Sequence, residues 1–405
     1  MYLNRVEKFL IEATLIDRTN DTTLDISKFI KALNVKKDYL ANSFPLFVID
    51  IMTTEQVRDI MRDNDVSVNI KVNKYIDIDN EFSEDSSEQP IIDEQIINTT
   101  IRIYDKPYVS SSTYTEDEDE NSDSISETMQ VIPYQLVGIP EELIEKNNIL
   151  INQIYENAKM NDIIVNIVSQ VEKKEIFLDN SDNNEREESL LIPPYNVVYA
   201  IKHLQDTYGV YNSPIGIFFD LDKTYVYKMF NNTRQHVNTF EVLTLDANDT
   251  TDDNKIITPM IDDDDNVKLY LKNTPSYISN LKINTDVLGE TTVFNSYDYD
   301  HNLIKRVYNN DDETNGKTRY FWNTLQTKLF EEKFINETKQ YSEGIGIPLT
   351  NINPNYFGID TLYKLSTDTN YANGEYELIE NSFSIYTDDY EHYNLMMYLK
   401  LSKIK

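Results

Sequence analysis

The run "VSVNIKVNKYI" (66–76) alternates strictly, with Val66, Val68, Ile70 and Val72 on one side and polar residues on the other. A period of two is the pattern of a strand with one buried face; a helix would scatter these four residues around its circumference. A chain carrying this signal must build a sheet with a covered face, and its neighbours are read against that need.

The flanking segments agree. "EKFLIEATLI" is apolar-rich with some alternation, "ISKFIKALNVKKDY" follows a polar turn at Thr19–Thr23, and both read as strands. "FPLFVIDIMT" is almost continuously apolar, which predicts a strand buried on both faces. "TTEQVRDIMRDND" predicts a short helix capped by Thr54 ahead of Glu55, with Val57, Ile60 and Met61 on one face. Residues 77–130 are acidic and serine-rich, as in "SSSTYTEDEDENSDSISE", and are expected to form long loops around one strand, "QIINTTIRIYD".

The next stretch, 131–210, predicts a small α/β unit. Pro140 opens an expected helix, "EELIEKNNILINQIYENAKM", with Leu143, Leu150, Ile151 and Ile154 at helical spacing. Asn161 is expected to cap a second helix, "DIIVNIVSQV". In "PPYNVVYAIKHLQDTYG" the apolar Val197, Val198, Ile201 and Leu204 share a face, Pro194 lies near the start and Gly209 marks the stop. From 211 onward strands return, among them "VKLYLKN", "YISNLKINTD", "ETTVFNSYDYD", "LYKLST", "GEYELIENSFSIYTD" and "YNLMMYLKLSKI". One helix is expected across 318–340, carrying Trp322, the single tryptophan.

Composition excludes several function classes. With 70 acidic and 37 basic residues the net charge is −33, which repels nucleic acid. Cysteine is absent, so disulfides, thiolate metal sites and cysteine nucleophiles are absent too, and folding is indifferent to the redox compartment. Nine glycines in 405 residues disfavour glycine-rich phosphate loops, and neither dinucleotide nor P-loop signature occurs. The N-terminus lacks a signal-peptide core and no run spans a membrane, so a soluble, non-secreted protein is expected. His203, His236, His301 and His392 lie far apart, without the spacing of a zinc helix, and no EF-hand loop occurs. No cofactor or metal is expected.

One stretch does carry a chemical signature. "IGIFFDLDKTYVYKM" (215–229) holds Asp-X-Asp-X-Thr at 220–224 and resembles the opening motif of haloacid-dehalogenase-type phosphatases. That resemblance implies Asp220 as nucleophile, Asp222 as acid/base and a magnesium ion. The residues themselves argue otherwise. Tyr225, Val226 and Tyr227 follow Thr224 at once as a second strand-like run, and strand, short polar stretch, strand is the grammar of a hairpin. No small-residue turn follows the threonine, and no acidic pair suited to magnesium closes a later strand; "IDDDDN" (261–266) lies in a polar loop. The expectation is a corner and not an enzyme.

A different family fits more of the chain. The segment "LLIPPYNVVYAIKHLQDTYGVYNSPIGIFFDLDKTYVYKM" (190–229) resembles a stretch of baseplate central-hub proteins of contractile-tailed bacteriophages, in which a proline-led helix ends in Tyr-Gly and leads to a hairpin. Residues 354–405 are similar to the closing strands of hub barrels, and 1–76 to the tail-tube barrel shared with type VI secretion components. The resemblance implies an α+β, β-rich chain with two tail-tube-like barrels separated by the α/β unit. The divisions would be 1–130, 131–210 and 211–405, with a helical insertion at about 315–350. It further implies a homotrimer in the virion, assembled in the host cytoplasm without stable membrane insertion. Its partners would be the tail tube protein, the central spike, other baseplate proteins and the tape measure protein. DNA would pass only in transit through a repulsive lumen. A tube initiator or a wedge component would share the barrel and differ in copy number. No catalytic, cofactor-binding or metal residue is carried over.

Overall fold

The computed structural model describes residues 6–77, 92–106, 132–183, 186–229, 234–244, 260–261, 267–271, 276–279, 291–297, 303–308, 318–323, 343–366, 372–387 and 393–404. The chain is β-rich with four α-helices among these residues. The first part runs β1 (Val6–Asp17), β2 (Thr22–Asp25), β3 (Ile30–Asp38), β4 (Leu46–Thr53), α1 (Glu55–Asp63), β5 (Val66–Asp77), β6 (Ile92–Asp105) and β7 (Ile132–Pro140). The middle runs α2 (Glu141–Asn147), β8 (Leu150–Lys159), α3 (Met160–Val171), β9 (Glu175–Leu178), β10 (Arg186–Asn196), α4 (Val197–Thr207), β11 (Ile215–Phe219) and β12 (Lys223–Lys228). Then follow β13 (Asn238–Thr244), β14 (Met260–Ile261), β15 (Val267–Leu271), β16 (Ser276–Ser279), β17 (Thr291–Tyr297), β18 (Leu303–Tyr308) and β19 (Thr318–Asn323). The chain closes with β20 (Glu343–Thr350), β21 (Thr361–Ser366), β22 (Gly374–Thr387) and β23 (Tyr393–Lys403).

Strands from both ends of the chain share one large sheet. Its core is a circuit of eight antiparallel strands, β22-β3-β4-β7-β6-β5-β1-β23, in which β23 pairs back onto β22. Alternation sets the inward face: Val66, Val68, Ile70 and Val72 are all buried, as are Leu15, Ala13 and Ile11 opposite the last three on β1, and Phe9 beyond them. Each fully buried aliphatic or aromatic side chain contributes about 1.5–3 kcal/mol, so one face of the circuit supplies much of the folding free energy. Asp38 and Glu380 end the pairing of β3 with β22, while β21 and β13 extend the sheet beyond it.

A second core belongs to the middle segment. Helix α3 buries Met160, Ile163, Ile164, Ile167 and Val168, and α4 buries Val197, Ala200, Ile201 and Leu204. Helix α4 begins where the side chain of Asn196 accepts the Tyr199 N–H, and it ends before Gly209, whose φ of 76° suits a residue without Cβ. The hairpin β11–β12 is the wall between the two cores. Phe218, Tyr225 and Tyr227 pack into the core of the large sheet, whereas Ile215, Ile217, Phe219 and Val226 pack into that of the helices. Period-two alternation therefore serves two cores at once, which is why the hairpin is apolar on both faces.

Four expectations need correction. The predicted helix over 141–160 is α2 followed by the strand β8: Ile149, Leu150 and Ile151 are β-formers, and β8 finds a partner in β10. Leu150 and Ile154, expected inward, are 65% and 62% exposed. Residues 318–323 of the predicted helix form β19, with Trp322 opposite Asn295 in a parallel pairing to β17; residues 324–340 lie outside the described residues. β4 is buried on one face only, through Phe47, Ile49 and Ile51, because its other side is left half-open. Helix α1 is present with Met61 buried, but the Thr54 side chain makes no capping bond, and Asn161 lies inside α3, where its Oδ1 accepts the Ser181 N–H instead of capping. The acidic loops of 78–91 and 107–131, most of "IDDDDN", His301 and His392 also fall outside the described residues.

Candidate functional site

The Asp-X-Asp-X-Thr stretch is a two-residue hairpin turn. β11 and β12 pair antiparallel from Ile215↔Lys228 to Phe219↔Thr224, and the Asp220 N–H donates to the Lys223 carbonyl at 2.9 Å. The Asp220 Oδ1 accepts the Leu221 N–H at 2.8 Å, the local bond that makes Asp a turn residue. A phosphatase nucleophile must stand open at the carboxyl end of a parallel strand. Asp220 is 3% exposed, and its second oxygen is taken by Lys37 of β3 at 2.8 Å. Asp222 sits at the turn tip, its carboxyl raised above the ordinary value by desolvation and by the charge of Asp220, with Lys37 opposing. The two aspartates mark a corner, and the corner is plugged.

What gathers around that corner is a set of ion pairs crossing between the large sheet and the helical unit. Lys223 bonds Asp360 at 3.0 Å, just ahead of β21, and Glu175 of β9 at 3.2 Å. Burial works against the Lys223 ammonium, but these two carboxylates outweigh it and hold its pKa above the ordinary value. Arg234 and Glu377 of β22, both 1% exposed in their side chains, pair at 3.2 Å. The Arg234 guanidinium also donates twice to the Lys228 carbonyl and lies 5.1 Å from the centre of the Tyr227 ring. Lys228 in turn reaches Asp182 at 2.7 Å, and the buried Asp179 carboxylate accepts the N–H groups of Lys228 and Gln235. The Tyr227 hydroxyl donates to the Tyr39 carbonyl, and the Lys174 ammonium to the Leu221 carbonyl.

Aromatic rings close this junction. Tyr39 lies 4.6 Å from Phe218 and 6.3 Å from Tyr225, centroid to centroid. Burial, then the charge of Asp220, pushes the Tyr39 and Tyr225 hydroxyls well above their usual range, so both stay protonated. Of the histidines, His203 is half-buried on α4 between Tyr195 and Tyr208, and His236 stands 3.6 Å from Glu377. Among the described residues no three His, Asp or Glu side chains converge as a metal site would need, and no helix is long and apolar enough to cross a membrane.

Sequence reasoning found Asp220 as a corner and missed its partner. A signal existed: Lys37 shares the inward parity of Leu33 and Val35 on β3 and of Tyr39 just beyond it, so a lysine stands where alternation demands an apolar residue. Asp360, Arg234 and Glu377 gave no comparable sign. A second surface was also hidden by the helix expectation over 141–160. On the β8–β10 ribbon, Ile154 and Leu191 stand directly opposite each other and are 62% and 51% exposed, with Leu150 and Tyr199 nearby in sequence and also exposed.

This fold is similar to that of tail proteins of solved structure. The crystal structure of the tail protein from Neisseria meningitidis MC58 matches with a TM-score of 0.53 at 11% identity, covering 97% of each chain. The 43 kDa tail protein of prophage MuSo2 from Shewanella oneidensis matches with 0.51 at 10% identity, covering 98% of this chain and 97% of that one. The Francisella PdpA–VgrG complex in its half-lidded form is more distant, at TM-score 0.44 and 12% identity, covering 98% of this chain and 58% of that one. No curated protein matches the sequence significantly. The chain belongs to the family of the bacteriophage PBS1 gene 109 protein, whose family model matches residues 6–404.

Proposed function

We propose that this chain is the structural hub of a phage tail baseplate, a trimeric ring joining the tail tube to the central spike and forming part of the DNA channel. The observation that carries the reading is the antiparallel circuit, in a fold shared end to end with two phage tail proteins. In this reading the two tube-like units draw on 1–130 and 211–405, with 131–210 between them, and three copies present six such units to the tube. The exposed apolar ribbon of β8 and β10 supports packing between copies, since a lone surface rarely leaves paired aliphatic residues in water. The net charge of −33 supports a lumen that repels phosphate, so DNA passes without binding. The plugged corner at Asp220 supports a scaffold and not a phosphohydrolase.

Microscopy of the assembled tail, with mass measurement of the purified chain under assembly conditions, tests this. Three copies around a central channel between tube and spike are expected. A particle in which the chain lies outside the channel would instead favour a wedge component, and a six-copy ring would favour a tube initiator. A chain that stays monomeric and lies apart from any tail would overturn the reading.

A further inference from the structure

Lys37 and Asp220 lie 183 positions apart and meet at 2.8 Å, with side chains 3% and 4% exposed. Among the described residues, Asp220 Oδ2 is the hydrogen-bond acceptor given to the Lys37 ammonium, which has three N–H groups to satisfy. We propose that Lys37 Nζ and Asp220 Cγ condense into an intramolecular isopeptide bond, so that β3 is joined covalently to the β11–β12 hairpin.

Three features of the site supply what amide formation needs. Both side chains are withdrawn from water, at 3% and 4% exposure, so the water released is not held at the site to reverse the reaction. Proximity is already met, because Cγ is one bond beyond an oxygen that Nζ touches. The Leu221 N–H points at Oδ1, the oxygen that becomes anionic when the amine adds.

The step balances without any added reagent. The proton bridging Nζ and Oδ2 passes to the carboxylate, the freed lone pair attacks Cγ, a C–N bond forms and Oδ1 takes the negative charge. A second proton passes from the nitrogen to the departing Oδ2 hydroxyl, which leaves as water as the C–O bond breaks and the carbonyl re-forms. Amine plus acid becomes amide plus water, with no change of oxidation state. A chain without cysteine would thereby gain a covalent tie across the junction between its two cores.

The mass of the full-length purified chain in denaturant tests this. The expected value lies below the sequence mass by one water. Trypsin should fail to cut after Lys37, and a branched peptide should join the Lys37 segment to residues 203–223. Lys37→Arg and Asp220→Ala should each restore the full mass. Circular dichroism checks that each variant folds. A wild-type chain of full sequence mass, cut normally after Lys37, overturns the proposal, as does a water lost at any other position.

Discussion

Removing either partner of the Arg234–Glu377 pair should destabilise the protein, and the two losses should be unequal. Both side chains are 1% exposed and 3.2 Å apart, so neither charge can be rescued by water. Breaking such a pair from one side costs about 3–5 kcal/mol, since an uncompensated charge stays buried. Glu377→Ala leaves the guanidinium two bonds to the Lys228 carbonyl and the Tyr227 ring, which places it near the low end, about 3 kcal/mol. Arg234→Ala removes those bonds as well and leaves the carboxylate beside His236 at 3.6 Å, so about 5 kcal/mol is expected. The double replacement Arg234→Met with Glu377→Leu keeps the volume and removes both charges. It should fall within about 1–2 kcal/mol of wild type, giving a large coupling energy. Urea unfolding followed by tyrosine and tryptophan fluorescence reads all three. Single variants that each lose under about 1 kcal/mol, or that simply add in the double, would refute a desolvated pair.

Gly138→Ala would drive a Cβ into the Arg102 carbonyl, and backbone cannot retreat without opening β6–β7. A loss of about 1–3 kcal/mol in chemical denaturation is expected, and an unchanged midpoint would contradict the register between those strands. Asp179→Asn keeps one acceptor where the carboxylate serves two buried N–H groups. It should cost about 1–3 kcal/mol in the same measurement, and a neutral outcome would argue against the double contact. For Asp17, burial pushes the carboxyl up, but bonds from Asn20, Asn64 and Thr19 outweigh it and hold it below the ordinary 3.8. A depressed folded value means that this stabilisation is in place above the unfolded pKa and is lost as pH falls through the folded one. Asp17→Ala should therefore unfold at lower urea near neutrality, with the gap closing below about pH 4; a gap independent of pH would refute the charge contribution.

Strong local patterns were readable because one rule governed each. Val66 to Val72 alternate and form β5; the apolar face at Val197 to Leu204 and Gly209 seat and stop α4; the polar break between Phe219 and Thr224 turns a hairpin. The Asp220 corner was legible for the same reason. Patterns that satisfy two rules were not. Leu150, Ile151 and Ile154 fit a helix face as well as a strand, and β8 is a strand because β10 lies beside it to take its backbone hydrogen bonds. Residues 318–323 likewise pair with β17, a partner that no local pattern announces.

The tertiary structure alone decided which strands meet. β3 lies against β22, and Lys37 faces Asp220, across separations that no turn or propensity encodes. Such contacts are chosen by the whole chain burying two cores at once, and only then do isolated charges such as Arg234 and Glu377 find partners in the dry space between them. By itself the sequence determined where the backbone runs straight, coils and turns at its clearest places, because those choices depend on residues a few positions apart. The assembly of those pieces into a circuit with a buried ion pair at its corner depends on solvent exclusion over the entire molecule.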